Sequence, residues 1–150
     1  MTLRMNEAGA LRVIAAVDPA EWPRPKGYSN GMRVPAGFDL LFVAGQIGWN
    51  AEAEFETDVF GAQFEQALAN CVTVVEAAGG AAHHIVRLTI FCADKDAYLA
   101  DLTAIGAAYR RVMGRHYPAM SLVEVARLLE PRALVEIEAT AALPPTEGER

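Results

Sequence analysis

The most constraining feature of the chain is a strict two-residue alternation in ALVEIEATAAL, residues 133–143. Successive side chains of a strand point to opposite faces, so Val135, Ile137, Ala139 and Ala141 share one side and Glu136, Glu138 and Thr140 the other. Such a strand belongs in a sheet with one face closed off from water, and the cover must bring an apolar stripe of its own. Two segments carry such a stripe. From about Asp58 to Ala78, the residues Phe60, Phe64, Ala67, Leu68, Cys71, Val75 and Ala78 recur at three- and four-residue spacing, which predicts an amphipathic helix. Thr57 or Asp58 is its candidate cap, and Gly79-Gly80 its stop. From about Asp96 to Met113 the stripe is Tyr98, Leu102, Ile105, Tyr109 and Val112, with Gly114 as the stop.

The remaining strands follow from local pattern. LLFVAGQI (Leu40–Ile47) is a nearly continuous apolar run, as in a strand buried on both faces. IVRLTIFC (Ile85–Cys92) is rich in β-branched residues, and MSLVEVARL (Met120–Leu128) alternates. RVIAAV and YSNGMRV are weaker strand candidates. The expected order is β-β-β-α-β-α-β-β, an α+β fold in which a mixed sheet of about six strands carries both helices on one face. A chain of 150 residues closes one core without metals or disulfides. Residues 1–22 are expected to form an N-terminal extension with a possible first strand, 23–143 the domain, and 144–150 (PPTEGER) a disordered tail. The strands carry enough apolar residues to leave the second sheet face partly apolar. That predicts a homo-oligomer with sheets turned toward the symmetry axis and ligand sites at subunit boundaries.

Composition narrows the function classes. The net charge of −6 and the lack of a Lys/Arg cluster argue against a phosphate-backbone ligand, so no nucleic-acid partner is expected. No run approaches the ~18–20 apolar residues of a membrane span, so no membrane partner is expected either. The start lacks a secretory pattern, and a cytoplasmic location is the expectation. Cys71 and Cys92 belong to no C-x-x-C pair; Cys71 falls on a helical stripe, where a free cysteine acts as a small hydrophobe. His83, His84 and His116 do not complete a recognisable metal-ligand spacing, so no metal is expected.

Chemistry has few places to live. Glu136 and Glu138 lie two apart on the polar face of the last strand, with Glu124 on the strand before, and carboxylates buried there by a neighbouring subunit would suit acid–base work. PKGYSNG (Pro25–Gly31) is a glycine-flanked turn presenting Tyr28, Ser29 and Asn30.

Taken together, GYSNG, VAGQIG, QALANCVTVVEAAGG, HIVRLTIFCAD, YPAMSLVEVARL and VEIEATA, in that order, resemble the RidA/YjgF family of enamine/imine deaminases, also called the endoribonuclease L-PSP family. The resemblance covers about Gly27 to Ala142. It implies a chorismate-mutase-like fold, a homotrimer with three inter-subunit clefts, and hydrolysis of a small-molecule metabolite to a 2-keto acid and ammonia without a cofactor. By the family motif Tyr28 lines the cleft, Gly45 lets backbone approach the ligand, and Glu136 orients the attacking water. Departures surround the same place. Met120 stands where the family has the arginine that grips the substrate carboxylate, next to the shared Ser121; Ala44 replaces a serine or threonine, and Leu122 a cysteine or asparagine. Losing one partner of a buried charge pair costs ~2–5 kcal/mol, so small 2-imino acids should be poor substrates. The resemblance therefore points to a larger or less acidic enamine or imine, with Arg24, Arg33 and Arg115 as candidates to reach a carboxylate from another angle. The alternative is a non-catalytic trimer that binds or senses a small apolar metabolite.

Overall fold

A computed structural model describes residues 13–146. In chain order the elements are β1 (Ala15–Val17), β2 (Gly31–Arg33), β3 (Asp39–Ile47), α1 (Phe60–Ala77), a 3-10 turn (Ala82–His84), β4 (Ile85–Cys92), α2 (Lys95–Ala100), α3 (Leu102–Met113), β5 (Ala119–Glu124) and β6 (Val135–Leu143). The main sheet runs β3-β6-β4-β5, with β6 antiparallel to both neighbours and β5 parallel to β4. Parallel neighbours need a crossover, and α2 with α3 supplies it. The alternation of β6 sorts as expected: Val135, Ile137, Ala139 and Ala141 are buried in the core, whereas Glu138 is exposed on the other face. Against that inner face pack Phe60, Phe64, Leu68, Cys71 and Val75 of α1, and Ile105 and Tyr109 of α3. The result is an α+β fold with its helices on one face of a mixed sheet.

Among the described residues the main sheet holds four strands, however, not about six. β1 and β2 pair only with each other. β2 is three residues long and runs into Val34-Pro35, where proline has no N–H to continue a ladder. The hairpin reaches the main sheet through a single bridge, Ser29 to Ala119 at the start of β5.

The second helix is likewise broken. It is interrupted at Asp101 (φ −116°, ψ 17°), whose Oδ2 accepts the N–H of Gly61 at 2.8 Å. That contact also corrects the expected capping of α1. Neither Thr57 nor Asp58 caps the helix; Thr57 Oγ1 takes the N–H of Val59, Asp58 pairs with Arg132, and a first-turn donor is satisfied by Asp101 from across the fold. At its other end α1 stops as expected, with Gly79 at φ 83° and the N–H groups of Gly79 and Gly80 returning to Glu76 and Val75. β5 ends at Glu124 rather than Leu128, and the Glu124 carboxylate accepts the Lys95 N–H at the start of α2.

β1 falls within the expected 1–22 extension, while residues 1–12 of that segment and 147–150 of the expected tail lie outside the described residues. No helix among the described residues is long and apolar enough to cross a membrane. The uncovered sheet face is partly apolar: Phe42 is 75% and Leu40 56% exposed on the β3 edge, and Val123 is exposed on the opposite, β5 edge.

Candidate functional site

The turn GYSNG is fixed to the mouth of β5 by its serine. Ser29 donates its hydroxyl to the Tyr117 carbonyl (2.6 Å) and its N–H to that of Pro118 (3.1 Å), and it is only 8% exposed. Asn30 is held at the other end by Asp18, which accepts from both its backbone and side-chain nitrogens. So anchored, the turn hangs Tyr28 over the inner side of β5 and α3.

Beneath Tyr28 lies a cleft of about 570 Å³. Met120 and Leu122 form part of its floor with Ile90 and Phe64, since alternate residues of β5 turn to the helix side. Tyr98, Ile105 and Tyr109 wall it from the helices. Tyr109 stacks on Tyr117 with ring centroids 5.2 Å apart and donates its hydroxyl to the His116 carbonyl at 2.6 Å. Burial holds the Tyr109 phenol well above its usual pKa, with Tyr117 adding to the effect. Two cations line the cleft, Lys26 and Arg110, both exposed. Arg24, Arg33 and Arg115 are exposed elsewhere and are not among the lining residues.

The other expected site residues gather on the opposite side of the sheet. Ala44 and Gly45 form a bulge in β3, where the pairing with β6 shifts between Val43 and Gln46. The Glu136 carboxylate lies directly over Gly45: a β-carbon at this position would overlap it, so the glycine lets the carboxylate sit where it does. Ser121 is exposed, two rungs across the sheet from Glu138 through Thr89. One chain thus brings together Tyr28, Met120 and Leu122 in the cleft, and Ala44, Gly45 and Glu136 on the open face, without joining the two sets. Of the other carboxylates considered, Glu124 is used as a helix cap and Glu138 is exposed.

Several residues have roles that sequence reasoning did not assign. Ser29 anchors the turn, Asn70 of α1 donates to the carbonyls of Ile47 and Trp49 at the end of β3, and Arg110 lines the cleft. Asn70 interrupts an otherwise small and apolar stretch, which was the available signal. Arg110 had one too: it follows Gly106 by one helical turn, on the face whose missing side chain opens the cleft. No three His, Cys, Asp or Glu side chains converge as a metal-ligand set among the described residues. Both cysteines are buried; the Cys71 thiol, pushed up to about 12 by burial, donates to the Ile137 carbonyl.

A helix-covered mixed sheet with a clefted edge and a carboxylate seated on a glycine bulge defines a small α+β protein with ligand-sized concavity. Residues 22–143 match the family described as Endoribonuclease L-PSP, and the chain belongs to it. It is 39% identical over 108 residues to a 2-iminobutanoate/2-iminopropanoate deaminase of Escherichia coli K12, a match covering 69% of this chain and 79% of the relative. Among solved structures it resembles the Rid-family protein YyfB from Yersinia pestis, with a TM-score of 0.76 and 31% identity over 87% of this chain and 98% of the other. It also resembles E. coli TdcF with bound serine, with a TM-score of 0.60 and 32% identity over 87% and 93% of the two chains.

Proposed function

We propose that this protein is a hydrolytic deaminase acting on an enamine or imine larger or less acidic than 2-iminopropionate. The observation that carries the reading is the floor of the cleft, where Met120 and Leu122 lie under Tyr28 with no cation on β5. Relatives named as 2-iminobutanoate/2-iminopropanoate deaminases, and a related structure holding serine, support an amino-acid-derived ligand.

The chemistry asks little of the protein, because a C=N carbon is already electrophilic. An enamine shifts a proton from nitrogen to carbon to become the imine; water then adds to the C=N carbon with one of its protons passing to nitrogen, and collapse of the carbinolamine moves the hydroxyl proton to nitrogen as well, expelling ammonia and leaving the ketone. The site must hold the substrate, orient the water and accept its proton. Glu136 is the group for the last two tasks, and it sits where Gly45 lets a ligand come close. Within one chain it is on the far side of the sheet from the cleft. We therefore assemble the site between copies, in a homotrimer whose apolar sheet faces, with Leu40, Phe42 and Val123, are buried against each other. The Glu136 of one copy then meets the Tyr28–Met120 cleft of the next.

The test is ammonia release from freshly generated 2-iminopropionate. The native protein is expected to be slow, Met120→Arg faster, and Glu136→Gln reduced by ~10²–10⁴-fold relative to its parent. No turnover by either native protein or Met120→Arg, on this or larger imines, would instead favour a protein that binds a metabolite without converting it.

A further inference from the structure

The cleft has no cation on its floor but two elsewhere in its lining. Lys26 comes from the turn before Tyr28 and Arg110 from α3; both line the cleft and are exposed, which puts their charges at its mouth. Among the described residues neither side chain has a hydrogen-bond or ion-pair partner, whereas the adjacent Arg111 donates from Nη2 and Nε to Glu65 at 2.6 and 2.8 Å. The Arg110 guanidinium folds back over Gly106, 3.5 Å from where a β-carbon would stand. It therefore occupies the space above the one α3 position without a side chain.

Below that mouth the cavity is apolar and aromatic. Met120 and Leu122 make a floor with no charge, and the walls carry tyrosine rings, among them the stacked Tyr109 with Tyr117 behind it. Flat aromatic groups fit such walls, and the Met120 thioether is a favourable neighbour for a ring. At about 570 Å³ the cleft is within the ~300–1,000 Å³ range of sites that enclose drug-sized ligands, far more than a three-carbon acid fills. A carboxylate would find no partner on the floor and two cations at the mouth.

We propose that the ligand is a 2-imino or enamine acid bearing a planar aromatic side chain, with its carboxylate held at the mouth by Arg110 and Lys26 and its ring laid on Met120 and Leu122. Arg110 is then the carboxylate-binding residue of the cleft, and Met120 and Leu122 set its preference for a ring. The reacting C=N group rests on the deaminase reading, but the shape and charge of the ligand do not.

Binding and turnover are accordingly measured separately. Calorimetric titration of the full chain with phenylpyruvate and with pyruvate, both unreactive keto-acid products of the proposed reaction, reads the ligand class. Phenylpyruvate is expected to bind about tenfold or more tightly than pyruvate. Arg110→Gln should weaken phenylpyruvate binding about tenfold, and the already weak pyruvate binding with it because both acids carry the carboxylate; Arg110→Lys should recover part of the loss. Arg110 is exposed, so these variants are expected to melt with the native protein, and the melting curve verifies it. Equal affinities for the two acids, or an Arg110→Gln variant that binds phenylpyruvate as native protein does, would overturn the proposal. Ammonia release from the imine of phenylalanine separates the two readings. Tight phenylpyruvate binding without turnover leaves the ligand assignment standing and removes the deaminase.

Discussion

Gln63 shows how a single polar side chain can tie together parts of a fold that share no sequence neighbourhood. It is 0% exposed, yet every polar atom of its amide is used: Nε2 donates to the carbonyls of Thr57 and Arg132, each at 3.0 Å, and Oε1 accepts the Leu134 N–H at 2.9 Å. The start of α1 is thereby stitched to the loop that feeds β6, close to Glu136. Replacing it by leucine fills the volume but strands those three backbone groups. At ~1–3 kcal/mol for each buried group left unpaired, Gln63→Leu is expected to lower stability by several kcal/mol, some of which water entering the site would return. Urea unfolding of native and variant protein reads this directly, as a lower midpoint with an unchanged slope. The helical stripe gave no hint of this residue. Gln63 sits three positions from Phe60 and beside Phe64, and its polarity marked it for solvent, because its partners lie up to 71 positions away.

At the scale of elements, what was legible is what a segment decides for itself. The alternation of β6, the stripe and glycine stop of α1, and the order of strands and helices are local patterns, and they stand. The break at Asp101 was not legible, and the partner of its side chain, Gly61, lies 40 residues away. The same limit explains Arg110. Which helix residues line a cleft depends on where β5 and the Tyr28 turn pack, and the Arg24, Arg33 and Arg115 suggested by position alone lie away from it. The short turn between α1 and β4 supplies an elemental pH response. His84 Nδ1 accepts the Ala81 N–H at 3.0 Å, which requires that nitrogen to be unprotonated. Burial, followed by the charges of His83 and His116, lowers the His84 pKa below 6.5. In the unfolded chain His84 regains its ordinary affinity, so between the two values the unfolded state binds more protons. Its contribution to stability is present above about 6.5 and is lost as the pH falls through the lowered, folded-state value. Thermal melts from pH 7.5 down to 5.5 are expected to fall with a steeper slope in native protein than in His84→Asn, which keeps an acceptor but cannot titrate. Equal slopes would mean that the turn does not sense the proton.

For the whole molecule the decisive fact is that the sheet separates the cleft from Glu136. If activity belongs to an interface between copies, each half-site can be destroyed on a different chain. Glu136→Gln removes the carboxylate proposed to handle water and leaves the cleft intact. Gly106→Trp should do the reverse, since a β-carbon there meets only the tip of Arg110 at 3.5 Å and the indole can enter the cleft without displacing backbone. Each variant alone is expected to lose ~10²-fold or more of the native ammonia release. After mixing under conditions that exchange subunits, hybrid oligomers contain interfaces at which an intact cleft faces an intact Glu136. Activity should then return to a substantial fraction of native, although neither chain contains a working site. Recovery on mixing would tie the chemistry to the apolar face around Leu40 and Phe42, because in the proposed assembly burial of that face brings the halves together. If exchange is verified by mass and activity stays absent, the two halves do not meet between copies, and Glu136 must act on a ligand outside the Met120 cleft.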